Sequence, residues 1–477
     1  MNAGHSDRLT LAEATEPSQA TTPRIFRKYL PLVRDDLLAT YSRDLHKWLL
    51  IAPIIGIVTG LTITALVVII LGWIWPVLLL YFLRHHWAII PGLTLGFVIA
   101  GLIMQLFTAD PNEHSTEEVI RSYHEKQGAM DFRSFVPKLL AAIATVAMGG
   151  SAALEGPSIY SGGAIGSWLW TKLRRLRLSA RDRRIMLISG AAAGMGAVFR
   201  APLTGIVFAL EMPYKDDLAH EALLPSLIAS VVSYMTLAAF LGSEPLFNFA
   251  SSTVFNRREL VLCAVLGVAI GLIAMVFSIT FRRVRTFVVR WDAPHWFKLA
   301  IGGSLTGVCG VIFLHVYSGP LVPIGPNYEA VGLILGNRHS ITELVLFGVM
   351  KLLATLCTLA SGGVSAMFVP LFLTGGALGT AFAQSIHQPS LELFAAVGMA
   401  AFIAAGYKTP LAAVVFVAEA TGGHAFIIPS LIGAAVAYAV SGDSSVSGDQ
   451  KVSEQAHELG HLPASALMTE ARPDAHI

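Results

Sequence analysis

Of the 477 residues, 54% are hydrophobic and only 13% are charged, which excludes an ordinary soluble domain and points to a polytopic membrane protein. A formal net charge of +2 gives no support to a nucleic-acid partner. The three cysteines, Cys263, Cys309 and Cys357, sit in apolar segments without metal-ligand spacing, so no metal or cofactor is expected.

Residues 1 to about 24 are rich in Ser, Thr, Ala and Glu and are expected to be flexible. From Arg27 to Lys47 the pattern turns amphipathic and basic, predicting a surface helix that leads into the membrane. Trp48–Trp75 is the first apolar block long enough to span, and Leu78–Phe107 is a second, interrupted by Arg84-His85-His86. The polar stretch Asp110–Glu118 and a mixed helix to about Lys126 come next. Apolar blocks then run over roughly 134–170, 185–212, 221–242, 258–281, 297–317, 342–360, 364–386, 393–407 and 409–441. Several fall short of the ~20 residues a straight crossing needs, and Pro202, Pro370 and Pro410 break others. Half-spanning helices of this kind are tolerated where they line a cavity, which is how transport sites are commonly built.

Within these blocks Ser151-Ala-Ala-Leu-Glu155-Gly156-Pro157-Ser-Ile-Tyr160-Ser-Gly162-Gly163-Ala-Ile-Gly166 buries a single acid in apolar surroundings. An intramembrane carboxylate usually faces a cavity or pathway. A helix beginning at Gly156, with Pro157 in its first turn, would set its free N–H groups and positive dipole end beside Glu155. A helix start is an anion site, and Glu155 is the anion the chain itself supplies.

The chain also repeats itself. Gly190-Ala-Ala-Ala-Gly194 leads to Arg200-Ala-Pro202 and on to Phe208 and Glu211, while Gly398-Met-Ala-Ala leads to Lys408-Thr-Pro410, Phe416 and Glu419. The offsets 398 − 190, 410 − 202, 416 − 208 and 419 − 211 all equal 208. Pro157–Gly166 is echoed by Pro370–Gly379 at an offset of 370 − 157 = 213. Between the matched segments the first half carries Lys172, Arg174, Arg175, Arg177, Arg181, Arg183 and Arg184, whereas Gln384 to Glu392 has no Lys or Arg. By the positive-inside rule the first loop is cytoplasmic and the second external, the asymmetry of an inverted repeat. The expected organisation is an N-terminal segment over 1–47, repeat one over 48–242, a linker over 243–257, an inverted repeat two over 258–441 and a tail over 442–477, with both termini cytoplasmic. The fold class is all-α, built from many tilted and broken helices.

Over about 48–447 these residues resemble the CLC family of chloride channels and chloride/proton antiporters. Ser151-Ala-Ala-Leu-Glu155-Gly156-Pro157 is similar to its Gly-Ser-x-Gly-(Lys/Arg)-Glu-Gly-Pro segment. Gly190 to Glu211 is similar to its Gly-Ala-Ala-Ala-Gly…Asn-Ala-Pro-Leu-Ala-Gly segment, and Ser361 to Pro370, with Met367, Phe368 and Val369, to its Gly-x-Phe-x-Pro filter. The resemblance implies a homodimer in the cell membrane, each subunit with its own pore for chloride or another small anion. It makes Glu155 the gating glutamate, and it places Phe368 and Val369 where backbone N–H groups face the anion.

This chain also departs from the family pattern. The family's Gly-Ser-Gly-Ile-Pro motif falls on Glu113-His114-Ser115-Thr116-Glu117, without its Pro or either Gly. There His114 is either a filter group that titrates or a solvated loop histidine, and Ser115 can take the serine role. Leu154 replaces the usual base before the gate, and Ala366 replaces a Gly. The filter Tyr falls around Ser445-Val446-Ser447, where no Tyr stands, so the inner gate is expected to be wide or built differently. The proton-transfer glutamate of the antiporters falls on Met212, which cannot titrate, and Glu211 beside it reads as a packing or capping group, as Glu419 does in half two. With the inner proton carrier missing at Met212, the residues favour passive, voltage- or pH-modulated halide conduction. The alternative is chloride/proton exchange with weak or non-standard coupling, in which His114, Glu117 or Glu118 substitutes.

One motif competes with transport. His457-Glu458-Leu459-Gly460-His461 has the spacing that puts two imidazoles on one helix face for zinc. It lies in a polar tail beyond the last apolar block, with Gly460 weakening the helix, Pro463 ending it and only Asp474 and His476 as later ligands. A chance sequence is the expected reading, and a membrane zinc protease the remote alternative. Ala464 to Pro473 is similar to the lead-in to a nucleotide-sensing CBS domain, with none following.

Overall fold

A computed structural model describes residues 24–453 apart from 113–114, 177, 248, 250–254, 336–338 and 423, with side chains from 46 onward except those of 174 and 424. The chain forms two units, residues 1–48 and 49–477. In the first, the described residues are the opening turns of one helix; the second holds the remainder of that helix and all the others. Among the described residues the chain is all helix, with two isolated β-bridges in place of a sheet. The first half holds α1 (Arg24–Val67), α2 (Trp75–Arg84), α3 (Ile89–Phe107), α4 (Ser115–Glu125), α5 (Phe135–Ala147), α6 (Glu155–Lys172), α7 (Ala180–Val198), α8 (Pro202–Glu211) and α9 (Leu223–Leu241). The second half holds α10 (Arg257–Arg290), α11 (His295–Val316), α12 (Ala330–Leu335), α13 (Ile341–Ala360), α14 (Phe368–Ser385), α15 (Leu391–Tyr407), α16 (Pro410–Thr421) and α17 (Ile427–Val440). Six helical stretches among the described residues are long and apolar enough to cross a membrane, so the chain is a multi-pass membrane protein.

Several apolar blocks prove to be two helices. The block at 134–170 divides at Gly149–Leu154, 185–212 at Phe199–Ala201, and 409–441 at Gly422, which takes φ +65°. The break before Pro202 is the one its proline predicts, while Gly149–Leu154 carries no charge and is buried throughout, so the chain turns there inside the protein. Conversely, α10 continues past the expected end at 281 through Arg282, Arg283 and Arg285 to Arg290. A π-helical turn over Val68–Ile74 leaves no mark in the apolar pattern. Helix α6 begins at Glu155 itself, one residue earlier than expected, so Pro157 stands at its third position rather than its second, still within the first turn.

The two halves are related by a two-fold rotation, and the packing displays it. Glu211, at the end of α8, accepts from the N–H groups of Leu411 (3.0 Å) and Ala412 (2.8 Å) at the start of α16. Glu419, in the last turns of α16, accepts from Leu203 (2.9 Å) and Thr204 (2.8 Å) at the start of α8. Equivalent helices therefore run antiparallel and cap one another, each carboxylate against the other's positive dipole end. Helices α3 and α11 also cross antiparallel, with Gly101 against Trp296 and Gly307 against Ile90. Within the halves the same contacts recur: a Cβ on Gly162 would overlap the Gly190 carbonyl, and one on Gly375 the Gly398 carbonyl. These glycines bring α6 onto α7 and α14 onto α15 at backbone distance.

Candidate functional site

The helices α6 and α14 start at the same place, from opposite halves. A helix leaves its first N–H groups without intrahelical partners. At α14 two of these find side chains: the Met367 N–H donates to the Tyr407 hydroxyl (3.0 Å) and the Phe368 N–H to Glu155 Oε1 (2.6 Å). Pro370 has no N–H to satisfy. Glu155 is 1% exposed, and its Oε2 is buried without a hydrogen-bond partner among the described residues. A buried carboxylate oxygen left unpaired is costly, about 1–3 kcal/mol or more. This side chain is held in a seat that does not fully satisfy it.

The approach segments fix that seat. The Ala153 N–H donates to the Ala366 carbonyl (3.0 Å), and the Ser365 hydroxyl donates to the Ala153 carbonyl. Ser151 is tied to α13 through Thr358 (3.1 Å) and Thr355 (3.0 Å). A Cβ at Gly156 would come within 2.8 Å of the Ser365 carbonyl carbon, so only glycine lets α6 start against the other segment. Val369 is fully buried at the second position of α14, and Pro157 is buried in α6.

Phe368 closes the seat with its ring, surrounded by Phe199 (5.3 Å), Phe208 (5.6 Å), Tyr407 (6.0 Å) and Phe416 (4.9 Å). Phe208 and Phe416 are repeat mates, as are Phe199 and Tyr407 (407 − 199 = 208). The tilted and edge-on pairs in this set are worth ~0.5–1.5 kcal/mol each beyond area burial.

Beyond Met367 lies a cavity of about 40 Å³ lined by Ser115, Glu117, Arg285, Ser365, Met367 and Tyr407, among others. Ser115 reaches it from the head of α4 with φ +63° and is buried. His114 lies outside the described residues. Val446 and Ser447 line the same cavity, and the Val446 N–H donates to the Gly406 carbonyl (2.9 Å). A phenol does line this cavity. Tyr407 supplies one from the end of α15, some forty positions before the stretch around Val446 where the family pattern places it. Its position as repeat mate of Phe199, next to the Lys408-Thr-Pro410 turn, is the signal in the sequence that marks it.

Met212 is buried, and its carbonyl accepts from Gln450 Nε2 (3.2 Å), which also donates to the Tyr407 carbonyl (2.9 Å). Glu211 has both oxygens on α16 amides, in the capping role expected of it. The His457 and His461 motif and the tail after it lie outside the described residues. Chemically, the site brings the backbone amides of Met367 and Phe368 and the Tyr407 hydroxyl close to one buried carboxylate. Such donors suit a weakly hydrated anion that must also leave.

A family model described as voltage gated chloride channel matches residues 96–442. An uncharacterized protein of Methanocaldococcus jannaschii is 29% identical over 398 residues, covering 82% of this chain and 92% of its own. The H(+)/Cl(-) exchange transporter ClcA of Yersinia pestis bv. Antiqua (strain Angola) is 27% identical over 354 residues, 71% of this chain and 73% of its own. Among solved structures, a CLC-type fluoride/proton antiporter superposes with a TM-score of 0.73 at 22% identity, covering 86% of this chain and 98% of that one. A slow cyanobacterial Cl−/H+ antiporter does so at 0.72 and 22%, covering 89% and 97%. At that identity the structural likeness concerns the fold.

Proposed function

The chain belongs to the voltage gated chloride channel family, and from that premise we propose that it exchanges chloride for protons across a cell membrane, with Glu155 as both gate and proton carrier. The observation that carries this reading is the Glu155 carboxylate seated on the Phe368 amide at 2.6 Å. A carboxylate in that seat occupies the place of an anion. Protonation removes its charge, weakens its hold on the amide and lets a chloride replace it. One group then cannot bind a proton and block the path at once, which is the requirement for coupling.

The named exchangers among the relatives support exchange over the passive conduction that Met212 favours on its own. Met212 removes one proton carrier from its usual place, and exchange then needs another inner acceptor. Passive conduction is the second reading and rests on that substitution alone. Chloride is the proposed anion because the Yersinia relative is named for it, with fluoride the competitor named by a structural neighbour. Glu155, Gly156, Pro157, Ser115, Met367, Phe368 and Val369 form the proposed pathway. A homodimer with both termini cytoplasmic completes the proposal, testable by cross-linking in native membranes.

Purified protein in sealed vesicles with an outward chloride gradient should drive protons inward against their own gradient. Chloride flux with no proton movement, and a reversal potential that follows chloride alone, would establish the passive reading instead. Replacing chloride by fluoride in the same assay decides the anion.

A further inference from the structure

Under exchange, a proton released from Glu155 finds no titratable group at Met212 to receive it. The geometry points to Glu117 as that group, with Arg285 as the cation that it holds and releases. This inference rests on the exchange reading.

Among the described residues lining the cavity beside Met367, Glu117 is the only carboxylate and Arg285 the only cation. Glu117 stands in the first turn of α4 and Arg285 late in α10, and Glu117 Oε2 accepts from Arg285 Nη2 at 2.8 Å. The guanidinium also donates to the Asn112 carbonyl (3.3 Å) and the Leu359 carbonyl (3.4 Å), which fix it in the cavity wall. Both side chains keep partial exposure, 27% for Glu117 and 19% for Arg285. Tyr407 lines the same cavity, and its hydroxyl touches Met367, the neighbour of the residue on which Glu155 sits. Among the described residues lining the cavity, Arg285 and Tyr407 are the other titratable or charged groups, from α10 and α15. The neighbouring acid does not qualify: Glu118 turns away from the cavity into a buried pair with Lys138 at 2.5 Å. Glu211 is occupied as a cap.

The step balances without any redox partner. The O–H bond of protonated Glu155 breaks, and the proton crosses the cavity on water. The cavity's roughly 40 Å³ exceeds the ~10–15 Å³ that one water needs. An O–H bond then forms on Glu117. Neutral Glu117 no longer offsets the guanidinium, and Arg285 is free to attract a chloride. Loss of the proton to solution restores the ion pair. Proton exit and anion entry thus alternate at one pair of residues.

The test is proton and chloride flux measured together in sealed vesicles for wild type, Glu117→Gln and Glu117→Asp. Proton flux in E117Q should fall roughly a hundredfold, the lower end of what a positioned proton-transfer group contributes. Chloride should continue to move, so that protons carried per chloride collapse, while E117D retains coupling. Wild-type stoichiometry in E117Q would overturn the assignment while leaving exchange intact. Absence of proton movement in the wild type would overturn exchange itself. Should E117Q fail to fold, Arg285→Gln provides the second reading: it should raise the chloride concentration for half-maximal flux, and an unaltered chloride dependence would count against the pair.

Discussion

Glu155 and Phe368 are equivalent residues of the two repeats, 368 − 155 = 213 positions apart, each the first residue of its helix, and one is hydrogen-bonded to the other at 2.6 Å. Their neighbours Ala153 and Ala366, with the same offset, are bridged as well. The symmetry axis therefore passes through the site. Two helix starts converge there, and one of them carries an acid where its mate carries an aromatic ring. That asymmetry sets a carboxylate of one repeat against a backbone amide of the other.

Glu155→Gln keeps an oxygen for the Phe368 amide but can no longer change charge. Wild-type anion flux should respond to pH by up to about tenfold per unit, the limit for one titrating carboxylate. In E155Q that response should flatten while flux persists. A variant that retains the wild-type pH response would move the gate elsewhere, and one that loses its fold would make Glu155 structural.

The glycine contacts between paired helices predict a stability pattern with its own symmetry. Gly162→Ala and Gly375→Ala each force a methyl into a facing carbonyl, and each should cost ~1–3 kcal/mol by overpacking. Gly332→Ala, in α12 with nothing within 4 Å of the added atom, should be neutral or stabilising by up to ~1 kcal/mol. Thermal unfolding in detergent separates the two classes, and a harmless G162A would mean that the helices are not packed this closely.

The constant offsets of 208 and 213 made the inverted repeat legible, because an inverted pair must reuse the same small residues wherever helices cross closely. Glu155 was legible for a similar reason: a lone acid in an apolar run has few physical excuses. Pro202 and Pro410 marked the starts of α8 and α16, since proline suits a first turn and cannot continue a helix. The end of α5 was less legible: Gly149–Leu154 carries no charge and turns inside the protein, so hydropathy alone does not show the break. Tyr407 escaped because its hydroxyl belongs to the site through space, from the far end of another helix.

Tyr407→Phe removes only that hydroxyl. The Met367 N–H would lose its partner in a buried setting, a cost of about 1–3 kcal/mol. Part of this should appear as a lower melting temperature, and part as a looser filter segment that discriminates less sharply between chloride and larger anions. Flux ratios for chloride against nitrate or thiocyanate, wild type beside Y407F, measure the second effect. Unchanged ratios would confine Tyr407 to packing.

The buried pair Lys138–Glu118 offers a stability test independent of transport. Both side chains are 5% exposed, and the ammonium also lies 5.1 Å from the Tyr160 ring centre. A buried ion pair contributes little by comparison with apolar residues of the same shape, yet removing one partner strands the other charge. Lys138→Met alone should therefore destabilise, by up to roughly 3–5 kcal/mol, because the buried Glu118 carboxylate would lose the Lys138 ammonium. Combining it with Glu118→Gln should recover much of that loss, since no net charge then remains in the low-dielectric interior. The double-mutant cycle reads the coupling directly, and two additive losses would show that the carboxylate and the ammonium act apart.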